Sequence, residues 1–199
     1  MVQHSEASPH VGDALVIVDL QRDFLPGGAL GVARGDAVVG AMNDYLARFV
    51  SDRLPVFATR DWHPANHCSF VAQGGPWPPH CIAGSAGAGF ADGLRLPADA
   101  KVISKATTAD RDAYSGFDGT DLQSLLRQAQ IKRLYVGGLA TDYCVLQTVK
   151  DACALGFAVL LLDDAIAAVD AHCGDGDRAI EQMRAAGAAL TDRNEVLAC

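Results

Sequence analysis

The chain has 199 residues, half of them apolar and a fifth charged, with a formal net charge of −8 at pH 7. That length and composition suit one soluble globular domain with a substantial core. The negative balance argues against a nucleic-acid backbone or an anionic membrane as partner, and no apolar run approaches the roughly 20 residues that span a bilayer.

The opening segment MVQHSEASPH has no basic region followed by an apolar stretch, so no secretory signal is visible. Residues 1–12 are expected to be a flexible leader to a single domain over 1–199. The six cysteines (68, 81, 144, 153, 173 and 199) are scattered and form no Cys-x-x-Cys. That pattern favours reduced thiols and a cytoplasmic location over a disulfide framework.

In chain order, ALVIVDL (14–20) is a continuous apolar run of the kind expected of a strand covered on both faces. Val38, Val39, Met42, Tyr45, Leu46 and Phe49 then recur at helical spacing over 36–51. LPVFATRD (54–61) reads as a second strand and AKVISK (100–105) as a third. Leu122, Leu125 and Leu126 share one face of a helix over 119–130, after an Asp or Thr cap. RLYVGGL (133–139) is a fourth strand, 143–155 a helix, FAVLLLDD (157–164) a fifth strand, 175–187 a helix, and AAL (188–190) a short last strand. Gly156 and Gly187 stand where helix-ending glycines belong, and HCGDGD (172–177) reads as a turn before a helix. Alternating strands and helices predict a three-layer α/β sandwich of Rossmann type around a mostly parallel sheet, with ligands beyond the carboxyl ends of the strands. Two segments break the alternation, the Gly- and Pro-rich 63–90 and the loop 106–117. Long loops in compact domains are often functional.

Three residues with reactive chemistry fall at that carboxyl edge. Asp19 ends the first strand, Lys105 the third, and Cys144 follows the fourth. A lysine and a helix N-terminus beside a thiol are expected to favour the thiolate. A carboxylate there can take the thiol proton and later deliver it to a leaving amine. The Cys144 N–H, with one from the preceding turn, is placed to hold an oxyanion. A second group lies on RDWHPANHCSF and PWPPHC. Asp61 and His63 at i, i+2 share one face of an extended segment, and His80 arrives on a loop stiffened by Pro78 and Pro79. One carboxylate and two imidazoles suit a divalent ion: Zn²⁺, or Fe²⁺ or Mn²⁺ with water completing the shell. His67 is either a further ligand or a loop histidine bonded to backbone.

These residues sit in IVDLQRDFLPGGAL, TRDWHP, PWPPHC, SKATTADRDAYSGF and VGGLATDYCV, in that order. On this ordered set the chain, from about residue 13 to 192, resembles the nicotinamidase (pyrazinamidase) group of isochorismatase-like cysteine hydrolases. The resemblance implies an Asp19–Lys105–Cys144 triad and one metal ion, zinc before iron or manganese, on Asp61, His63 and His80. It implies a substrate pocket walled by Phe24, Trp77 and Tyr114. It also implies a cis peptide between Leu139 and Ala140 that aims the Ala140 and Cys144 N–H groups at an oxyanion. The expected activity is hydrolysis of nicotinamide, and of pyrazinamide, to the acid and ammonia through a thioester. Other superfamily amidases acting on carbamoyl or ureido compounds, and a silent metal-binding relative, are the alternatives. Many members of that group carry Gly directly after the lysine where this chain has Ala106, a departure that bears on loop geometry. The only partner expected is the small-molecule substrate; the oligomeric state, a homo-oligomer included, is left open.

Overall fold

The computed structural model describes residues 7–198. Six strands, β1 (Asp13–Val18), β2 (Val56–Asp61), β3 (Lys101–Lys105), β4 (Arg133–Leu139), β5 (Ala158–Ala167) and β6 (Ala189–Thr191), form one sheet in the order β3-β2-β1-β4-β5-β6. Every pairing is parallel. Helices α1 (Gly35–Ser51), α2 (Leu122–Gln128), α3 (Leu146–Ala154), α4 (Asp175–Ala185) and α5 (Arg193–Val196) complete the regular structure, with short 3₁₀ turns at Arg22–Phe24 and Val71–Gln73. The expected strands are displaced by three residues at most at any end. The helix expected over 119–130 is shorter, and its first turn is tied by Thr120, whose Oγ1 accepts the Leu122 N–H at 3.3 Å.

Alternation along β1 divides the core. Ala14, Val16 and Val18 face one layer with Leu122, Leu126, Val149, Ala152, Ala179 and Met183 of α2, α3 and α4. Leu15 and Ile17 face the other, with Val38, Met42, Tyr45, Leu46 and Phe49 of α1 and Val196 of α5. A strand buried on both faces has no polar side to show, which is why β1 reads as an unbroken apolar run. The sequence leads outward from β1 to β2 and β3 on one side and from β4 to β5 and β6 on the other. The switch point of the sheet therefore lies between β1 and β4, where ligands of such folds bind. Backbones crowd there: Gly138 pairs with Val18, has φ +126°, and a Cβ on it would come within 2.0 Å of the Val18 carbonyl oxygen. Only glycine fits.

Of the leader expected to be flexible, residues 1–6 lie outside the described residues. Residues 7–12 are held: the Tyr135 hydroxyl donates to the Ala7 carbonyl at 2.8 Å and Arg133 Nη2 to the Ser8 carbonyl at 2.9 Å. Polar side chains at the amino end of β4 thus supply the bonds that the leader cannot make alone. Among the described residues no helix is long and apolar enough to cross a membrane.

Candidate active site and metal centre

Strand register builds the site. Asp61 and Lys105, the last residues of β2 and β3, are direct partners across adjacent parallel strands, so their side chains project side by side. Lys105 is fully buried and pairs with both carboxylates. Its Nζ contacts Asp61 Oδ1 in a short ion pair and lies 3.0 Å from Asp19 Oδ2. It also donates to the Ala113 carbonyl at 3.0 Å and approaches Cys144 Sγ at 3.5 Å. Asp19 follows β1 in a left-handed conformation (φ +46°), which turns its carboxylate back over the sheet edge toward the thiol. Metal-capable atoms of Asp19, Asp61 and Cys144 lie within 4.8 Å of one another.

Cys144 stands in a π-helical turn, Thr141–Val145, that precedes α3. The Leu139–Ala140 peptide before it is cis. The thiol does not rest as the expected thiolate. Burial pushes its pKa up, and the carboxylates of Asp19 and Asp61 add to that, outweighing the attraction of Lys105. Burial likewise raises Asp19, against the pull of Lys105. Lys105, in contrast, is held well above the ordinary lysine value, because Asp19 and Asp61 more than offset its desolvation. Asp61 is buried too, but Lys105 and His63 keep its carboxyl below the usual carboxylate range. The cluster is thus an ammonium and the Asp61 carboxylate held in their charged forms, beside Asp19 and the Cys144 thiol, whose ionisation burial opposes. Such a thiol becomes a nucleophile only when a neighbour takes its proton.

The second group closes beside it. His63 is carried past the end of β2, and its main chain pairs with the loop: His63 N–H donates to Cys81 O at 3.0 Å and Ala83 N–H to His63 O at 2.8 Å. This brings His80 next to His63, with their Nε2 atoms 3.2 Å apart. His63 Nδ1 lies 3.2 Å from the Ala106 carbonyl and His80 Nδ1 2.9 Å from the Pro78 carbonyl. A carbonyl only accepts, so both Nδ1 atoms carry the proton and both Nε2 atoms present lone pairs. Asp61 Oδ2 lies 3.6 Å from His63 Nε2. Three acceptors converge with no proton between them, a donor set that fits a divalent cation. The sheet also clamps Asp61 from outside. Gln21, fully buried, donates its Nε2 to the Asp61 carbonyl at 2.8 Å and to the Ala88 carbonyl at 2.9 Å, while its Oε1 accepts the Asp61 N–H at 2.8 Å. His67 belongs to the bland alternative. Its Nε2 is bonded to the Arg111 carbonyl at 3.0 Å and its Nδ1 to Ser69 Oγ at 2.7 Å, leaving neither nitrogen for a metal.

A cavity of about 310 Å³ joins the two groups. Phe24, Leu30, Trp77, Tyr114 and Tyr143 wall it, and Asp61, His80, Ala140 and Cys144 reach its floor. Trp77 Nε1 donates to the Tyr114 hydroxyl at 3.1 Å, and Trp77 meets Tyr143 edge-on with ring centroids 5.3 Å apart. Phe24, Trp77 and Tyr114 line this cavity. Tyr143, Leu30 and Val169 also line it, and the sequence reading missed them. Tyr143 directly precedes Cys144, so its place beside the thiol was the one available signal. Val169 arrives only because β5 overruns its expected end at 164 and Asp142 accepts the N–H groups of Val169 and Asp170 at 2.9 and 3.0 Å. Among the other thiols, Cys81 is buried, Cys68 and Cys153 are half-buried, and Cys173 is exposed; all are free, and Cys199 lies outside the described residues.

A parallel α/β sandwich with a thiol, an acid and an ammonium at its switch point, beside a two-histidine, one-carboxylate donor set, defines the class as that of the isochorismatase-like hydrolases. The Isochorismatase domain profile matches residues 13–195, and the chain belongs to that family. It is 40% identical over 198 residues to a nicotinamidase of Escherichia coli (strain K12), covering 89% of this chain and 93% of the relative. A pyrazinamidase of Pyrococcus horikoshii, solved in complex with zinc, superposes with a TM-score of 0.88 at 48% identity, covering 91% of this chain and 99% of that one. An L. infantum protein crystallised in complex with nicotinate gives a TM-score of 0.87 at 39% identity, covering 96% and 98%.

Proposed function

We propose that this chain hydrolyses nicotinamide, and pyrazinamide as an analogue, to the carboxylic acid and ammonia. The observation that carries the reading is the cavity onto which Cys144, Asp61 and His80 open together, with Asp19 and Lys105 buried behind the thiol and His63 buried behind His80. Asp61, His63 and His80 would hold the divalent ion, which we take to be zinc as in the P. horikoshii relative. When bound, that ion supplies a Lewis-acidic anchor for a ring nitrogen.

The chain's own residues then account for each step. Phe24, Trp77, Tyr114 and Tyr143 enclose a flat neutral ring and exclude water. Cys144 Sγ attacks the amide carbon while its proton passes to Asp19. The Ala140 and Cys144 N–H groups receive the developing oxyanion, each such donor contributing about 3–4 kcal/mol in acyl transfer. Asp19 hands the proton to the departing nitrogen, and ammonia leaves a thioester on Cys144. A water molecule deprotonated by Asp19 cleaves the thioester, and the thiol recovers its proton. Lys105 favours the ionised form of Asp19 and so opposes the effect of its burial. The free thiols support a cytoplasmic setting.

Ammonia release from nicotinamide, measured with metal content before and after chelation and against carbamoyl compounds, tests the reading. Nicotinamide turnover lost on chelation and restored by metal is expected. Turnover of carbamoyl compounds alone would assign the chain to another amidase.

A further inference from the structure

We propose that Thr59, buried in the middle of β2, is the positioning residue that points Asp19 at the Cys144 thiol. The inference rests on Cys144 being the nucleophile of the amide hydrolysis above. Thr59 Oγ1 does two things at once. It donates to Asp19 Oδ1 at 2.6 Å and accepts the Asp19 main-chain N–H at 3.2 Å. A residue in left-handed conformation is thereby held by both its backbone and its side chain. The consequence is asymmetric. Oδ1 is closed by the hydroxyl, whereas Oδ2, 3.0 Å from Lys105 Nζ, makes no well-angled hydrogen bond and is the one orphaned buried side-chain atom among the described residues. That oxygen is left to take a proton from the thiol. Without the hydroxyl, the carboxylate is free to turn and share both oxygens with the Lys105 ammonium, and the base is lost while the ion pair remains.

The surroundings hold Thr59 in turn. A Cβ on Gly116 would come within 2.7 Å of Thr59 Cγ2, and the Gly116 N–H donates to Thr148 Oγ1 at 2.9 Å on α3. Thr148 lies one turn beyond Cys144. The hydroxyl that orients the acid and the helix that carries the thiol are therefore braced through the same glycine.

Thr59→Val keeps the branched shape and deletes the hydroxyl. Its kcat for nicotinamide should fall about ten- to a hundredfold, the range set by a hydrogen bond to a charged group. KM should stay within about threefold and metal content should be unchanged, since Asp61 and both histidines are untouched. Alkylation of Cys144 by iodoacetamide forms an S–C bond, expels iodide and passes the thiol proton to Asp19; it should slow in parallel. Thr59→Ser, which restores the hydroxyl, should recover both rates to within about threefold of the parent. If the valine variant does not fold, Thr59→Ala is judged by the same readings. Unchanged kcat and alkylation, a loss confined to KM or metal content, a fall in kcat without slower alkylation, or failure of serine to rescue would each overturn the assignment. Should the parent chain release no ammonia from nicotinamide, the functional reading fails by itself, and the alkylation rates still decide the role of Thr59.

Discussion

His63 and His80 face each other through unprotonated nitrogens 3.2 Å apart, while their other ring nitrogens are committed to the carbonyls of Ala106 and Pro78. Two lone pairs at that distance repel unless a cation lies between them and Asp61. The pair is preorganised for metal by bonds that fix its tautomers before any ion arrives.

Metal removal should therefore destabilise the fold. An ion present at a hundred times its dissociation constant contributes about 2.7 kcal/mol. For a chain of this size that corresponds to a fall of about 5–10 °C in Tm on chelation, reversed by adding the ion back. His63→Ala should abolish the difference. Thermal scans with and without chelator measure it; identical curves for the parent chain would remove the metal centre.

Cys144→Ala should lower kcat by about 10⁴-fold or more, as loss of a nucleophile does elsewhere, while metal stoichiometry and Tm stay near the parent. The thiol touches Lys105 Nζ at 3.5 Å but none of the bonds that orient His63 and His80. Retained turnover would reject Cys144 as nucleophile.

Ala106 occupies a backbone position that suits glycine better than alanine. Ala106 has φ +50°, a left-handed conformation that costs a side-chain-bearing residue about 1–2 kcal/mol. It turns the Ala106 carbonyl onto His63 Nδ1. Ala106→Gly should stabilise the chain by about 1 kcal/mol and raise Tm by about 2–4 °C. Differential scanning calorimetry checks the sign; a lowered Tm would mean that the methyl group is worth more in packing than the conformation costs.

Alkaline stability should depend on Tyr45. Burial and a 2.5 Å hydrogen bond to Asp164 push its phenol above the ordinary tyrosine value. The fold therefore favours the protonated form. Its contribution is complete below the unfolded value of about 10 and is lost as pH rises from there toward the folded value. Urea midpoints of the parent should fall more steeply above pH 10 than those of Tyr45→Phe, with parallel behaviour between pH 7 and 9. Parallel curves throughout would show that Tyr45 titrates alike in both states.

The strand order itself was not legible in the sequence, although every strand was. ALVIVDL and RLYVGGL announce themselves because a strand buried on both faces must be apolar throughout. Nothing in either run says that β1 and β4 lie side by side at the switch point, which depends on how the layers pack. Gly138 is intelligible only once Val18 is seen against it.

For the site, the sequence by itself determined the chemistry, namely a carboxylate, an ammonium and a thiol at strand ends, and an Asp–His–His set on a Pro-braced loop. Side-chain type and position along a strand are local properties, so they can be read one residue at a time. What only the tertiary structure decided was protonation and aim. Burial beside Asp19 and Asp61 keeps Cys144 a thiol, the Ala106 carbonyl from a separate loop orients His63, and Thr59 leaves one oxygen of Asp19 open. Those depend on desolvation and on hydrogen bonds between segments some 40 residues apart, contacts that exist only when the chain has closed on itself.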